Sequence, residues 1–268
     1  MTEKEMILKD HVSLPILFED EDISAYKLHD HLWLFETKKG VTSSIYILEG
    51  QDKTMVIDSG HIVTDLPSKV SKISPKPQIL ALTHAHPDHA GSIDQYDTIY
   101  VNRKELEFIP NYKGKIIEID DQFIFDLGKI HVQVINLSGH SDGSVGFIDL
   151  EDRWLFTGDA IGSTCVWMQT TSQPLESLMG AIRRIEECKD KFNEIFVGHY
   201  RQMDAIADFS FVEKMKDLLN KIIYTKDYTC EPFTKGPGQD LFSFKIDPVI
   251  STLNGVGIVF NRNRIHYL

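Results

Sequence analysis

Short apolar runs bounded by turn residues dominate the first two-thirds of the chain. Val41 to Leu48 alternates enough to predict a strand, and Glu49 to Lys53 a turn after it. Thr54–Ile57 predicts the next strand, and the apolar run Gln78–Thr83 another. Ile130–Leu137, Ser144–Leu150, Trp154–Thr157 and Glu194–Gly198 have the same character. Elsewhere the period changes. Leu66–Ile73 predicts a helix. Leu175, Leu178, Met179, Ile182 and Ile185 fall on one helical face, with Pro174 suited to the first turn. Phe211–Ile223 repeats that pattern, and the tail from Leu241 carries strand-like pieces broken at Asn254-Gly255 and Asn261 to Asn263. Strands and helices mixed without a break in composition predict one α/β domain over residues 1–268.

The residues that directly follow the strands are unusual. Asp58 follows Thr54–Ile57, and Thr83-His84-Ala85-His86-Pro87-Asp88-His89 follows Ile79–Leu82. His140 comes after the run ending at Leu137, Asp159 after Trp154–Phe156, and His199 after Ile195–Val197. Five strands thus end in a metal-capable side chain. Strand ends gathered on one edge would bring these groups together, and ligand sites favour such edges. His84 and His86 stand two apart, so an extended segment aims both the same way, whereas a helix would not. Pro87 then opens a helical turn that turns Asp88 and His89 toward a second position. Imidazole nitrogen and carboxylate oxygen suit zinc, and also iron or manganese.

Composition narrows the partners. A net charge of −12 over 268 residues repels phosphate backbones and argues against nucleic acid. The start Met-Thr-Glu-Lys-Glu lacks a signal-peptide pattern, and no apolar run is long enough to span a membrane. Cys165, Cys188 and Cys230 form neither a disulfide framework nor a zinc knuckle, so a cytoplasmic location is expected. His11, His29, His31, His61, His131 and His266 carry no partner pattern, although His61 is near enough to Asp58 to reach a site rim.

Taken together, His84-Ala-His86-Pro-Asp88-His89, Ser138-Gly-His140, Thr157-Gly-Asp159 and Gly198-His199 resemble the metallo-β-lactamase-fold hydrolases, which include glyoxalase II and lactone hydrolases. The resemblance covers about residues 43–200, leaving 201–268 as a helical and strand-like extension. It implies a four-layer αββα sandwich with two metal ions at one edge. His84, His86 and His140 would hold the first ion. Asp88, His89 and His199 would hold the second. Asp159 would bridge them, and Asp58 would brace the ligand loop from behind. Aspartate at 159 differs from the Cys or Ser usual in the β-lactamases themselves. His86 differs from the Glu of the flavodiiron group. The tail is a poor match to the C-terminal helical region of glyoxalase II-like enzymes.

The resemblance implies a hydrolase of a small acyl substrate, a thioester, lactone or ester. Two zinc ions about 3.5–4 Å apart would share a hydroxide that attacks the acyl carbon. Asp88 would orient that hydroxide, and Tyr200 is a candidate donor to the developing oxyanion. A phosphodiesterase using the same ions and a mononuclear iron sulfur dioxygenase are the alternative enzymes; a metal-holding binding module without turnover is the non-enzymatic one. Cys165 is close enough to Asp159 in sequence to be weighed as a nucleophile, and Trp167 and Met168 as a pocket wall. Specificity would come from the first 40 residues, the Ile161–Pro174 loop and the segment after Tyr200. An exposed loop or tail could pair two copies.

Overall fold

The computed structural model describes residues 14–168, 172–203, 206–233 and 248–267. The N-terminal start and residues 241–247 of the expected strand-like tail lie outside them; the pieces on either side of Asn254-Gly255 do form strands. The pattern of apolar runs names no strand before Val41, yet three form there: β1 (Ile16–Glu19), β2 (Ile23–His29) and β3 (Leu32–Thr37). They pair antiparallel in sequence with β4 (Ser44–Glu49) and β5 (Thr54–Ile57). The sheet continues through β6 (Gln78–Ala81), β7 (Thr98–Val101) and β8 (Lys115–Glu118), now in parallel.

A second sheet runs in the order β14 (Glu194–Val197), β12 (Trp154–Gly158), β11 (Val145–Asp149), β10 (His131–Asn136), β9 (Ile124–Asp126). Its neighbours are antiparallel except β12 and β14, which are parallel. The period of two explains how the sheets stack. On β4, Tyr46 and Leu48 face inward with Leu34, Met55, Val134, Phe147, Phe156 and Phe196 between the sheets. Ile45 and Ile47, on the opposite face, pack with Leu66 and Val70 of α1 (Leu66–Ser71) and Ala90 of α2 (Pro87–Ala90).

The outer face of the second sheet is covered by α3 (Leu175–Glu187) and α5 (Phe209–Asn220), with α4 (Tyr200–Met203) between them in sequence. The apolar face predicted for α3 is the one buried: Leu175, Leu178, Met179, Ile182 and Ile185. Asp208 caps α5 by accepting the Ser210 N–H at 2.9 Å. The helix predicted to 223 instead passes into a π-helical turn over Lys221–Thr225. The result is the expected αββα order of layers with one addition. A third sheet, in the order β13 (Cys165–Trp167), β17 (Val256–Phe260), β16 (Val249–Leu253), β15 (Glu231–Pro232), packs beside the outer helices. The Ile161–Pro174 segment, read as a loop, thus contains a strand that pairs in parallel with a strand from far along the chain. No local pattern announces such a pairing.

Strand direction decides where the site lies. β5 and β6 are parallel, so Asp58 and the His84 loop leave the first sheet at the same edge. β10 and β12 are each antiparallel to β11, and β14 is parallel to β12. His140, Asp159 and His199 therefore leave the second sheet at one common edge. Phe156 and Phe196 stack between the sheets with centroids 5.2 Å apart, and both are wholly buried. Phe156→Ala is expected to lower unfolding free energy by about 3–5 kcal/mol, measured by urea denaturation with an unchanged slope.

Candidate metal centre

The strand ends do converge. His84, His86 and His140 present ligand atoms within 4.8 Å of one another, and so do Asp88, His89, Asp159 and His199. Asp159 joins the two groups. Its Oδ2 lies 3.6 Å from His140 Nε2 and 3.2 Å from His199 Nε2, and its Oδ1 lies 3.4 Å from His89 Nε2. Asp88 Oδ2 stands 3.6 Å from both His89 Nε2 and His199 Nε2.

Local chain chemistry explains these positions. His86 is extended and caps α2, with Pro87 at its first turn, so the helix rotates Asp88 and His89 toward the second group. Gly158 has φ 51°, and a Cβ there would strike the Thr83 side chain. At Gly198 a Cβ would strike Asp159 Oδ1, so both glycines are needed to let the two sheets' loops close on the centre. Ser44 reaches across from the first sheet: its N–H donates to Gly198 O at 2.9 Å and its Oγ accepts the Tyr200 N–H at 2.9 Å.

Three of the five imidazoles are held through their far nitrogen. His140 Nδ1 donates to Trp167 O at 2.7 Å, and His199 Nδ1 to Thr42 O at 2.7 Å. His89 Nδ1 sits 2.8 Å from Asp58 Oδ2. Asp58, at φ 64°, also accepts the Thr83 N–H at 2.7 Å and its hydroxyl at 2.8 Å. It is thus placed to orient the ligand loop, as such outer partners do.

The charges are those of a site built for cations. Burial, then the neighbouring His89 and His86, push His84 well below the usual imidazole range. Burial lowers His86 and His140 too. Burial opposes the charged form of His89 as well, but Asp159, Asp88 and Asp58 outweigh it and hold His89 well above that range. At His199 burial is again outweighed, by Asp159 and Asp88, and its pKa is held up to about 9. Burial alone would raise Asp159; His199 and His89 keep it well below the usual carboxylate range.

Three atoms test whether a metal fits. His84 Nε2, His89 Nε2 and Asp159 Oδ1 are buried without a hydrogen-bond partner. Buried polar atoms in a folded protein are normally satisfied. These three belong to the two converging groups, and the donors there are imidazole and carboxylate with no thiol. Structural zinc is typically cysteine-rich, so the set suits a working rather than a purely structural ion.

The other expected residues fall differently. Tyr200 is buried in the cluster between the sheets and does not line the cleft above the centre, so it is not placed to receive an oxyanion there. His61 does not line that cleft either; its Nδ1 accepts the Val41 N–H at 3.0 Å and steadies the loop that carries Thr42. Cys165 and Trp167 do line it, with Val41, Ser163 and Gln202, whereas Met168 is core. His29, His131 and His266, without a pattern in sequence, pair with Glu194, Glu151 and Glu176.

Glu105 is the residue that sequence reasoning missed. It is wholly buried and accepts the Ala85 N–H at 2.8 Å, the Ser141 hydroxyl at 2.7 Å and the Gly143 N–H at 2.8 Å. It ties the His84–His86 segment to the His140 loop. Its place in Arg103-Lys-Glu-Leu-Glu reads as a solvated turn. A buried carboxylate is the only sign of its role, and burial is not visible in sequence. Glu105→Ala is expected to weaken zinc affinity by about 10- to 100-fold, measured by competition with a chromophoric chelator, while circular dichroism stays native. A second expectation follows from charge. His199 is protonated below about pH 9 without metal, and an ion needs the neutral ring. Zinc binding at pH 7.5 should therefore release protons in a weakly buffered titration, and affinity should rise as pH rises toward 9.

Comparison with known proteins agrees with this geometry. The sequence profile described as the metallo-beta-lactamase superfamily matches residues 39–199. A probable polyketide biosynthesis zinc-dependent hydrolase of Bacillus subtilis is 23% identical over 82% of this chain and 98% of its own length. A human acyl-coenzyme A thioesterase is 22% identical over 65% of this chain and 79% of its own. A hydroxyacylglutathione hydrolase of Francisella tularensis is 28% identical over 52% and 56%. In fold, a metallo-beta-lactamase from Pontibacter korlensis superposes with a TM-score of 0.64 at 17% identity, covering 73% of this chain and 98% of that one.

Proposed function

The chain belongs to the metallo-beta-lactamase superfamily of metal-dependent hydrolases, and on that premise we propose that it hydrolyses a small acyl thioester with two zinc ions. The observation that carries the proposal is Asp159, whose two oxygens face both ligand groups. His84, His86 and His140 would hold one ion; Asp88, His89 and His199 the other; Asp159 would be shared. Such ions polarise a carbonyl and bring the pKa of bound water toward about 7.

The protein's own groups do the rest. Asp88, buried beside His89 and His199, has a carboxylate placed to accept a hydrogen bond from water and fix its lone pair toward the cleft. Thr42 O and Trp167 O lock the tautomers of His199 and His140. The cleft has a volume of about 80 Å³ and is partly open to solvent. Val41, Cys165 and Trp167 give it an apolar side that shelters an acyl group from water.

Substrate class follows from what lines the cleft. Among the described residues no lysine or arginine does. A phosphodiester would have only the metal ions to receive its negative charge, because no protein cation lines the cleft beside Asp88 and Asp159, whereas a thioester brings no charge to the reacting carbon. Seven ligand residues in two groups favour two ions over the single iron of a dioxygenase. Two of the relatives above are named for acyl-coenzyme A and hydroxyacylglutathione, which supports a thioester over a lactone.

The test is a panel of thioester, lactone, phosphodiester and β-lactam substrates with zinc-reconstituted protein. Thioester turnover should lead, vanish with a chelator, return with zinc, and fall to background in Asp159→Asn. Equal turnover of the phosphodiester, or activity in verified metal-free protein, would sink the proposal.

A further inference from the structure

The rim opposite the metal centre holds a second convergence. β11 runs antiparallel to β10 and β12, so Asp149 at its end, and the turn after it, lie away from His140 and Asp159. The β2–β3 turn comes to the same rim from the first sheet, because β3 runs in the direction of β5 and starts where β5 starts. We propose that His31, Asp149 and Asp152 bind a divalent transition-metal cation that joins the two sheets at this rim.

Their ligand atoms lie within 4.8 Å of one another. Asp149 is 0% exposed, and its Oδ2 is buried without a hydrogen-bond partner. Its Oδ1 is already engaged, accepting the Glu151 N–H at 3.0 Å and the Asp152 N–H at 3.1 Å, which fixes the carboxylate at the head of the turn. His31 Nε2 is 2.8 Å from Asp152 Oδ2, and its ring packs on Trp154 with centroids 5.0 Å apart. The imidazole is thus held with Nε2 toward the acids.

No lysine or arginine pairs with Asp149 or Asp152 among the described residues. Glu151, the next acid, is taken by His131 at 2.9 Å, and the Arg153 guanidinium reaches Asp190 O at 2.9 Å instead. A buried carboxylate oxygen without a partner is costly, and a bound cation or a proton at Oδ2 removes that cost. Burial, with Asp152 and Glu151 nearby, pushes Asp149 up to about 6. One imidazole nitrogen and two carboxylate oxygens suit zinc or manganese better than the all-oxygen ions. Coordination at about 2.0–2.2 Å needs the three groups to draw in. His31 and Asp152, both partly exposed on turns, can move; Asp149 is the fixed point.

The site does not depend on the catalytic reading, and its test separates the two. Full-length protein is equilibrated at buffered free zinc, and in parallel at free manganese, and metal per chain is counted. Wild type should hold one more ion than His31→Ala or Asp149→Asn. Zinc should raise the Tm of wild type more than that of either variant, while thioester hydrolysis stays equal in all three. Anomalous diffraction should place the additional ion within coordination distance of His31 Nε2. Asp149→Asn removes a buried group and could fail to fold, so His31→Ala, a partly exposed turn residue, decides. Equal metal content in wild type and His31→Ala, or anomalous peaks confined to the catalytic rim, overturns the proposal.

Discussion

Asp159 keeps a negative charge where water scarcely reaches, with three imidazoles from both sheets within 3.6 Å of it. Much of the surrounding structure can be read as the means of keeping it there. The acid stands at the end of a strand paired on both sides, which holds its backbone in place. Gly158 and Gly198 leave no side chain between it and its neighbours. Three of the histidines in turn are tied through their outer nitrogens to backbone carbonyls and to Asp58. Electrostatic attraction in a low-dielectric site would collapse these groups on one another unless a rigid frame kept them apart. The two stacked sheets supply that frame.

The converging histidines and aspartates were legible in sequence because each follows an apolar run. A strand has only two ends, and the same kind of residue at five of them is a strong regularity. The supporting groups have no such regularity. Glu105 acts through three contacts to segments 20, 36 and 38 positions away. His31 and Asp149 belong to different sheets and come together only when those sheets stack. Tyr200 failed for a related reason: position beside a ligand says nothing about which side of the backbone a ring takes, and here it takes the core.

The fold followed the same rule. Strands flanking the motifs, and the α3 face with its helical period, are where the pattern put them. What escaped were β2 and β3 before Val41, the short or partly exposed strands such as β8, and the joining of Cys165–Trp167 to the tail strands in a third sheet. Three residues, Cys165–Trp167, carry no recognisable period, and their strand character comes wholly from Val256–Phe260. Tertiary pairing here overrides local preference.

That pairing has a consequence for the order in which the protein matures. Every candidate ligand has been synthesised once His199 is added, so the rim that carries them can assemble before the tail is complete. The strand bearing Cys165 and Trp167 must wait for residues 256–260 before it gains its neighbour. Reactivity would therefore precede discrimination during synthesis, and a nascent chain would pass through a stage with its chemistry in place and its selectivity unfinished.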